Sequence, residues 1–205
     1  MASSLQETIA AFGVAGPAAD RLVRLAGLWA RHGRVQRLLG ATTEGAIARH
    51  VAEGLAAVEV GRACGGGAAG GWVDVGSGAG LPGLVVVCVW EGPVVLVEPR
   101  QRRAAFLELA AAQLGVEVTV LRGRLEGHGW TGEAAQLSNR QWQVASARAV
   151  FDPCTWLDRS GVFGPSTWRT VHVREGWRTP DGWVLGARRR SAHGIVLGVR
   201  PECFT

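Results

Sequence analysis

The stretch Trp72-Val73-Asp74-Val75-Gly76-Ser77-Gly78-Ala79-Gly80-Leu81-Pro82-Gly83 decides how the whole chain is read. A short hydrophobic strand ends at Asp74 and Val75, a turn containing Gly76, Gly78 and Gly80 follows, and Leu81 and Pro82 open a helix. Proline fits that position because the first N–H groups of a helix have no intrahelical partner. Glycine is needed where the backbone turns sharply and where a ligand must approach it without side chains in the way. In open α/β sheets, a loop of this kind at the carboxyl end of the first strand is where cofactors bind.

Working outward, the texture on the downstream side alternates. Val94–Val97, Val116–Leu121, Trp142–Ala147 and Thr170–Val173 read as strands, rich in β-branched residues. Between the first of them lie an apolar segment, Leu84–Trp90, that suits a buried helix or strand, and a longer helical one, Arg100–Leu114. Such alternation indicates βαβ units and a parallel sheet. Trp183–Ala187 and Ile195–Val199 are separated only by RRRSAHG (Arg188–Gly194), short enough for a hairpin, and Arg188–Arg190 read as its solvated turn. The fold class expected is α/β and Rossmann-like, a mostly parallel seven-stranded sheet closed by a C-terminal antiparallel hairpin.

On the upstream side, residues 5–60 read as helical. Leu22, Leu25, Ala26, Trp29 and Ala30 recur at helical spacing, with Arg21, Arg24, Arg31 and Arg34 between them. A second stretch from Thr43 to Val60 carries Ile47, Val51, Leu55 and Val58 on one face, with Thr43 as its cap. The run CGGGAAGG, Cys64–Gly71, holds too many glycines for regular structure and reads as a connector. The expected organisation is a helical segment over 1–63, a connector over 64–71 and a main domain over 72–205, together one structural unit.

Composition narrows the function classes. With 205 residues, 47% hydrophobic and 19% charged, the chain can bury a core of its own. No apolar run reaches the roughly 18 residues needed to cross a bilayer. The opening MASSLQETIAAFG lacks a basic region followed by an apolar block, so a cytoplasmic protein is expected. The four cysteines form no C-x-x-C pair and no histidine sits near them at ligand spacing, so no metal site is expected. Every one of the 22 basic residues is arginine, and the net charge is +5. Codon bias explains that choice; it also provides a surface suited to phosphate contacts. Without lysine there is no Walker motif, which excludes a P-loop nucleotidase.

The glycine loop still admits more than one ligand. Gly78 to Gly83 matches G-x-G-x-x-G, which leaves a dinucleotide reading open, although little chain remains to house a dehydrogenase's substrate. An S-adenosylmethionine reading accounts for more. Glu98 ends the second strand, where a carboxylate can accept both ribose hydroxyl hydrogens, and Asp74 is placed to orient the loop or the methionine amine. The plainer alternative is that both acids cap turns or helices.

DVGSGAGLPG, followed by VLVEPRQRRAAFLELAAAQLG, resembles the RsmG or GidB family of small-subunit ribosomal RNA guanine-N7 methyltransferases. The likeness continues through LRGRLEG (Leu121–Gly127) and SARAV (Ser146–Val150), and upstream through Trp29 and ARHV (Ala48–Val51). It implies a class I methyltransferase that uses S-adenosylmethionine and acts on ribosomal RNA or the small ribosomal subunit, as a monomer. It also implies roles for residues. Gly76, Gly78 and Leu81 would line the methionine and ribose side, Glu98 would hold the ribose, and Leu125 and Glu126 would border the adenine. Arg148 would reach the cofactor pocket with Arg124 nearby, and these two are the catalytic candidates. Each could instead pair with a nearby acid such as Glu126. His50 reads more simply as a structural histidine, and the tryptophans as core. The chain departs from the family where R-H-I-x-D-S becomes Arg49-His50-Val51-Ala52-Glu53-Gly54 and where a late Lys-Gly becomes Glu175-Gly176. Those departures motivate two alternatives, a methyltransferase with another RNA or a small molecule as substrate, and a non-catalytic RNA-binding or assembly factor.

Overall fold

The computed structural model describes residues 4–32, 39–65, 70–191 and 194–202. Three helices come first, α1 (Leu5–Ala11), α2 (Gly16–His32) and α3 (Glu44–Ala63). Then follow β1 (Trp72–Val75), α4 (Gly83–Val89), β2 (Val94–Val97), α5 (Gln101–Leu114), β3 (Thr119–Leu121), β4 (Gly123–Glu126) and β5 (Gly129–Gly132). The chain ends with β6 (Val144–Ala147), α6 (Pro153–Arg159), β7 (Trp168–Val173), β8 (Trp183–Ser191) and β9 (Gly194–Pro201). Seven strands form one sheet in the order β3-β2-β1-β6-β7-β9-β8, parallel through β7 and antiparallel at β9 and β8. This is the Rossmann-like sheet with a closing hairpin that the sequence predicts.

Strand periodicity sorts the core into two layers. Trp72, Val94 and Leu96 pack with the helices α1 to α5, whereas Val73, Val75, Val95 and Val97 pack with α6 and the β4–β5 hairpin. Alternate residues of a strand point to opposite faces, and a sheet covered on both faces needs apolar side chains on both. α2 buries Leu22, Leu25, Ala26, Leu28 and Trp29 as one stripe. Its arginines tie it down at the ends of other helices: Arg21 Nη2 donates to the Cys88 carbonyl at 2.7 Å and Arg24 Nη2 to the Leu114 carbonyl at 3.3 Å. Arg62, near the end of α3, donates to the Val89 carbonyl at 2.7 Å. The last carbonyls of a helix have no intrahelical donor, so a guanidinium there satisfies them and complements the helix dipole. Thr43 caps α3, its hydroxyl accepting the Ala46 N–H at 3.4 Å.

Several boundaries differ from the sequence reading. β3 starts at Thr119 rather than Val116, because Gly115 ends α5 in the left-handed region and the Val116 N–H still donates to the Ala111 carbonyl. β6 starts at Val144 and β7 already at Trp168. The helix of the glycine loop begins at Gly83, with Pro82 as its N-cap. The Leu84–Trp90 segment is that helix. Arg188–Arg190 are not a turn: they lie within β8, opposite Leu197, Val196 and Ile195 of β9. β8 is the sheet edge, where exposed charges are tolerated and discourage pairing with another chain. The small β4–β5 hairpin was not predicted as strands at all. Arg34 and parts of the glycine connector and of RRRSAHG lie outside the described residues.

Candidate active site

The glycine loop is built by backbone geometry. The Gly76 and Ser77 N–H groups both donate to the Val97 carbonyl, at 2.8 and 3.0 Å, which folds the loop against the end of β2. Gly76 has φ +71°, and a Cβ there would lie 2.4 Å from Val150 Cγ2 on the segment after β6. Only glycine, with no Cβ, accommodates that dihedral and that closeness together. Gly78, at φ +58°, is bare toward open space, the nearest side-chain atom to an added Cβ being Arg103 Nη1 at 3.7 Å.

Two acids hold this loop in different ways. Asp74 is fully buried; its Oδ2 accepts the Gly83 N–H at 3.2 Å and its Oδ1 accepts the Ser146 hydroxyl at 2.6 Å. Burial raises its pKa above the usual carboxylate value against these hydrogen bonds. Asp74 therefore orients the loop and the start of α4 from beneath. Glu98, 2% exposed, accepts the Gly78 N–H at Oε2 and the Arg100 N–H at Oε1, each at 2.9 Å. A carboxylate has about four acceptor positions, so two remain for a ligand. The capping role and the ligand role are compatible in this one side chain. From the helical layer, Trp29 Nε1 donates to the Ala79 carbonyl at 2.7 Å and pins the far side of the loop.

A cleft of about 400 Å³ opens above the ends of β1, β2 and β6, walled among others by Gly76, Glu98, Arg103, Leu125, Phe151 and Arg159. It lies where the strand order reverses, the position at which open α/β sheets bind ligands. Arg124 and Glu126 also wall it, exposed, with Arg124 Nη1 3.6 Å from Glu126 Oε1. Gly78 joins it through its bond to Glu98. Leu81 does not: its side chain is 7% exposed and belongs to the helical-face core. Arg148 does not line it either. Its Nη2 lies 2.6 Å from Glu53 Oε2 on α3 and 3.5 Å from His50 Nδ1. The volume, bare backbone and free acceptors of the cleft fit a nucleoside with vicinal hydroxyls.

Glu53 is the residue the sequence reading missed. His172 Nδ1, on β7, lies 3.0 Å from its Oε1. Burial pushes this carboxyl up, but the hydrogen bonds from His172 and Arg148 outweigh it and hold the pKa at about 2. Glu53, His172 and Trp177 wall a second cavity of about 550 Å³. The signal was present, since Glu53 stands where the family pattern has its aspartate, but only as a departure. Nothing in the sequence connects α3 to β7.

The family described as rRNA small subunit methyltransferase G matches residues 19–155. A ribosomal RNA small subunit methyltransferase G of Sphingopyxis alaskensis is 35% identical over 176 residues, covering 80% of this chain and 70% of that one. One of the same name from Salinispora arenicola is 52% identical over 81 residues, 38% of this chain and 33% of its own. Among solved structures, a mutant of MtNAS in complex with S-adenosylmethionine superposes with TM-score 0.56 at 14% identity, covering 85% of this chain and 73% of that chain, a likeness of fold.

Proposed function

Since the chain belongs to the rRNA small subunit methyltransferase G family, we propose that it is an S-adenosylmethionine-dependent methyltransferase that methylates guanine N7 in small-subunit ribosomal RNA. The observation that carries this is the buried Glu98 carboxylate, which joins the glycine loop to the end of β2 at the mouth of the cleft and keeps acceptor positions free.

When bound, S-adenosylmethionine supplies a methyl group on a sulfonium centre, open to in-line displacement. The residues of the chain position and enclose. Glu98 would accept from the ribose hydroxyls, Gly76 and Gly78 would present bare backbone, and Leu125 with Phe151 would give the base an apolar wall. Arg103 and Arg159 line the same cleft and offer guanidinium donors to a carboxylate. Leu81 supports the loop from the core, and Arg148 organises the acceptor side through Glu53. Guanine N7 has an in-plane lone pair and no proton, so no general base is required. Alignment and proximity then supply the rate, a contribution on the order of 7–11 kcal/mol. The Glu53–Arg148 pair neutralises the guanidinium, which suits a nitrogen that becomes cationic.

No helix among the described residues is long and apolar enough to cross a membrane, and a monomer working in the cytoplasm is part of the proposal. Incubation with labelled S-adenosylmethionine and small subunits lacking the modification, followed by mapping of the labelled base, tests it. Label at a guanine N7 is the expected result. Cofactor binding without label in the RNA would point to another substrate, and absence of cofactor binding would leave a non-catalytic RNA-binding factor.

A further inference from the structure

The second cavity shares no lining residue with the donor cleft. It lies between α3, the end of β7 and the facing ends of β8 and β9, and Glu53, Pro153, His172, Glu175, Trp177 and Ile195 line it. It is nevertheless next to the cleft. The segment after β6 borders both spaces, Ala149 to Phe151 on the cleft side and Pro153 on the cavity side. Ala149 is held at φ +57°, a dihedral that an L side chain seldom adopts and that persists where the surroundings impose it. Arg148, beginning this segment, reaches Glu53 at 2.6 Å.

The chemistry of the walls is selective. Glu53 gives each carboxylate oxygen one partner, Arg148 on Oε2 and His172 on Oε1, which leaves acceptor capacity on both. With Nδ1 of His172 engaged by Glu53, Nε2 is the ring nitrogen left for a ligand. That Nε2 is buried with no hydrogen-bond partner among the described residues. Trp177 adds a half-buried aromatic plane, and Ile195 is apolar. A planar ring whose edge carries adjacent donors matches this set. Guanine presents N1–H and N2–H₂ side by side on its Watson–Crick edge, whereas adenine puts a lone pair at N1, against the carboxylate. Enzymes acting on a base commonly read that edge while aromatic side chains stack on the ring. Guanine held in this way leaves N7 free on its opposite edge.

We propose that this cavity receives the acceptor guanine, stacked on Trp177 with its N1–H and N2–H₂ edge turned to Glu53 and His172. The proposal rests on the guanine-N7 reading above and assigns the base specificity to residues outside the cofactor cleft. Guanosine 5′-monophosphate and adenosine 5′-monophosphate are titrated into the full chain by saturation-transfer-difference NMR. S-adenosylhomocysteine is present in excess, so that neither nucleotide can use the donor cleft. The guanine nucleotide is expected to bind at least tenfold more tightly than the adenine nucleotide. Trp177→Ala should weaken it fivefold or more, Trp177→Phe should restore most of the loss, and Glu53→Gln should narrow the preference. S-adenosylhomocysteine affinity, followed by calorimetry, should be unchanged in both Trp177 variants, which also shows that they fold. Equal binding of the two nucleotides, no guanine signal at millimolar concentration, or an unaffected Trp177→Ala would overturn the assignment. Failure of S-adenosylhomocysteine to bind the unaltered chain strikes instead at the proposed activity; a guanine preference measured alongside that failure upholds the cavity if Trp177→Ala abolishes it and overturns the assignment if Trp177→Ala leaves it unchanged.

Discussion

Glu98 is a strut of the glycine loop and, in the proposed function, also the ribose ligand, and the two roles separate experimentally. As the proposed ligand for ribose it would make charge-assisted hydrogen bonds, worth roughly 1.5–3 kcal/mol each. Losing two of them in Glu98→Ala is expected to weaken S-adenosylmethionine binding by about a hundredfold or more, since about 1.4 kcal/mol is tenfold. As a strut it accepts the Gly78 and Arg100 N–H groups, so the same variant should also melt at a lower temperature. Glu98→Gln keeps an acceptor and should fall between. Calorimetry showing undiminished affinity in Glu98→Ala would reject the ribose placement. Glu53 tests a different property. Its pKa lies at about 2 in the folded chain against an ordinary value of 4.5. A carboxyl whose folded pKa is depressed contributes stability that is present above the unfolded value and lost as pH falls toward the folded one. The contribution is on the order of 3 kcal/mol, at 1.36 kcal/mol per unit. The unfolding midpoint should therefore fall more steeply between about pH 4.5 and 2 in the unaltered chain than in Glu53→Gln. Parallel curves would remove the ion pair from the account. Asp74, shifted the other way, is common to both proteins and cancels in the comparison.

At the scale of elements, the glycine loop depends on a helix remote from it in the chain. Trp29 of α2 is wholly buried and its Nε1 donates to the Ala79 carbonyl. Trp29→Phe keeps much of the aromatic packing and removes that donor, leaving a buried carbonyl unsatisfied at a cost of about 1–3 kcal/mol. Expected are a lower denaturant midpoint and looser cofactor binding, because the loop loses its anchor on the helical side. A fall in stability with cofactor affinity intact would mean that Trp29 supports only the core. Such couplings mark the limit of what the sequence told. The strand, glycine turn and acid at the end of β2 were legible because they are local patterns of period and punctuation. The helical stripe of α2 was legible for the same reason. Arg188–Arg190 were misread because a run of like charges has no periodicity of its own; only the register with β9 and the solvent at a sheet edge make it a strand. Glycine-rich β4 and β5 hid likewise. Leu81 was assigned to the cofactor by family pattern, whereas its packing in the core is a tertiary fact.

Across the whole molecule, charge is what remains to be connected with RNA. Part of the arginine behind the net charge of +5 is already paired with carboxylates. On the edge strand, Arg188 and Arg190 both pair with Glu175 Oε1, at 3.2 and 3.1 Å, and Arg189 pairs with Glu59 at 2.6 Å. These are exposed pairs, of the kind worth at most about 1 kcal/mol each, so phosphates can displace the carboxylates at little cost. Glu175 also lines the cavity assigned to guanine, and releasing its arginines to an RNA backbone would couple docking to that site. Phosphate contacts release counterions, and the slope of log K against log salt is about −0.7 per contact for single strands. Binding of a small-subunit RNA fragment is thus expected to weaken steeply between low and moderate salt. Replacing Arg188 and Arg190 together by Gln should flatten the slope by about 1.4, two contacts' worth, and leave S-adenosylhomocysteine affinity unchanged. Filter binding across a salt series measures both. A slope identical in the double variant would place RNA docking on another face, and the edge arginines would then serve only to keep the sheet from pairing with a neighbour.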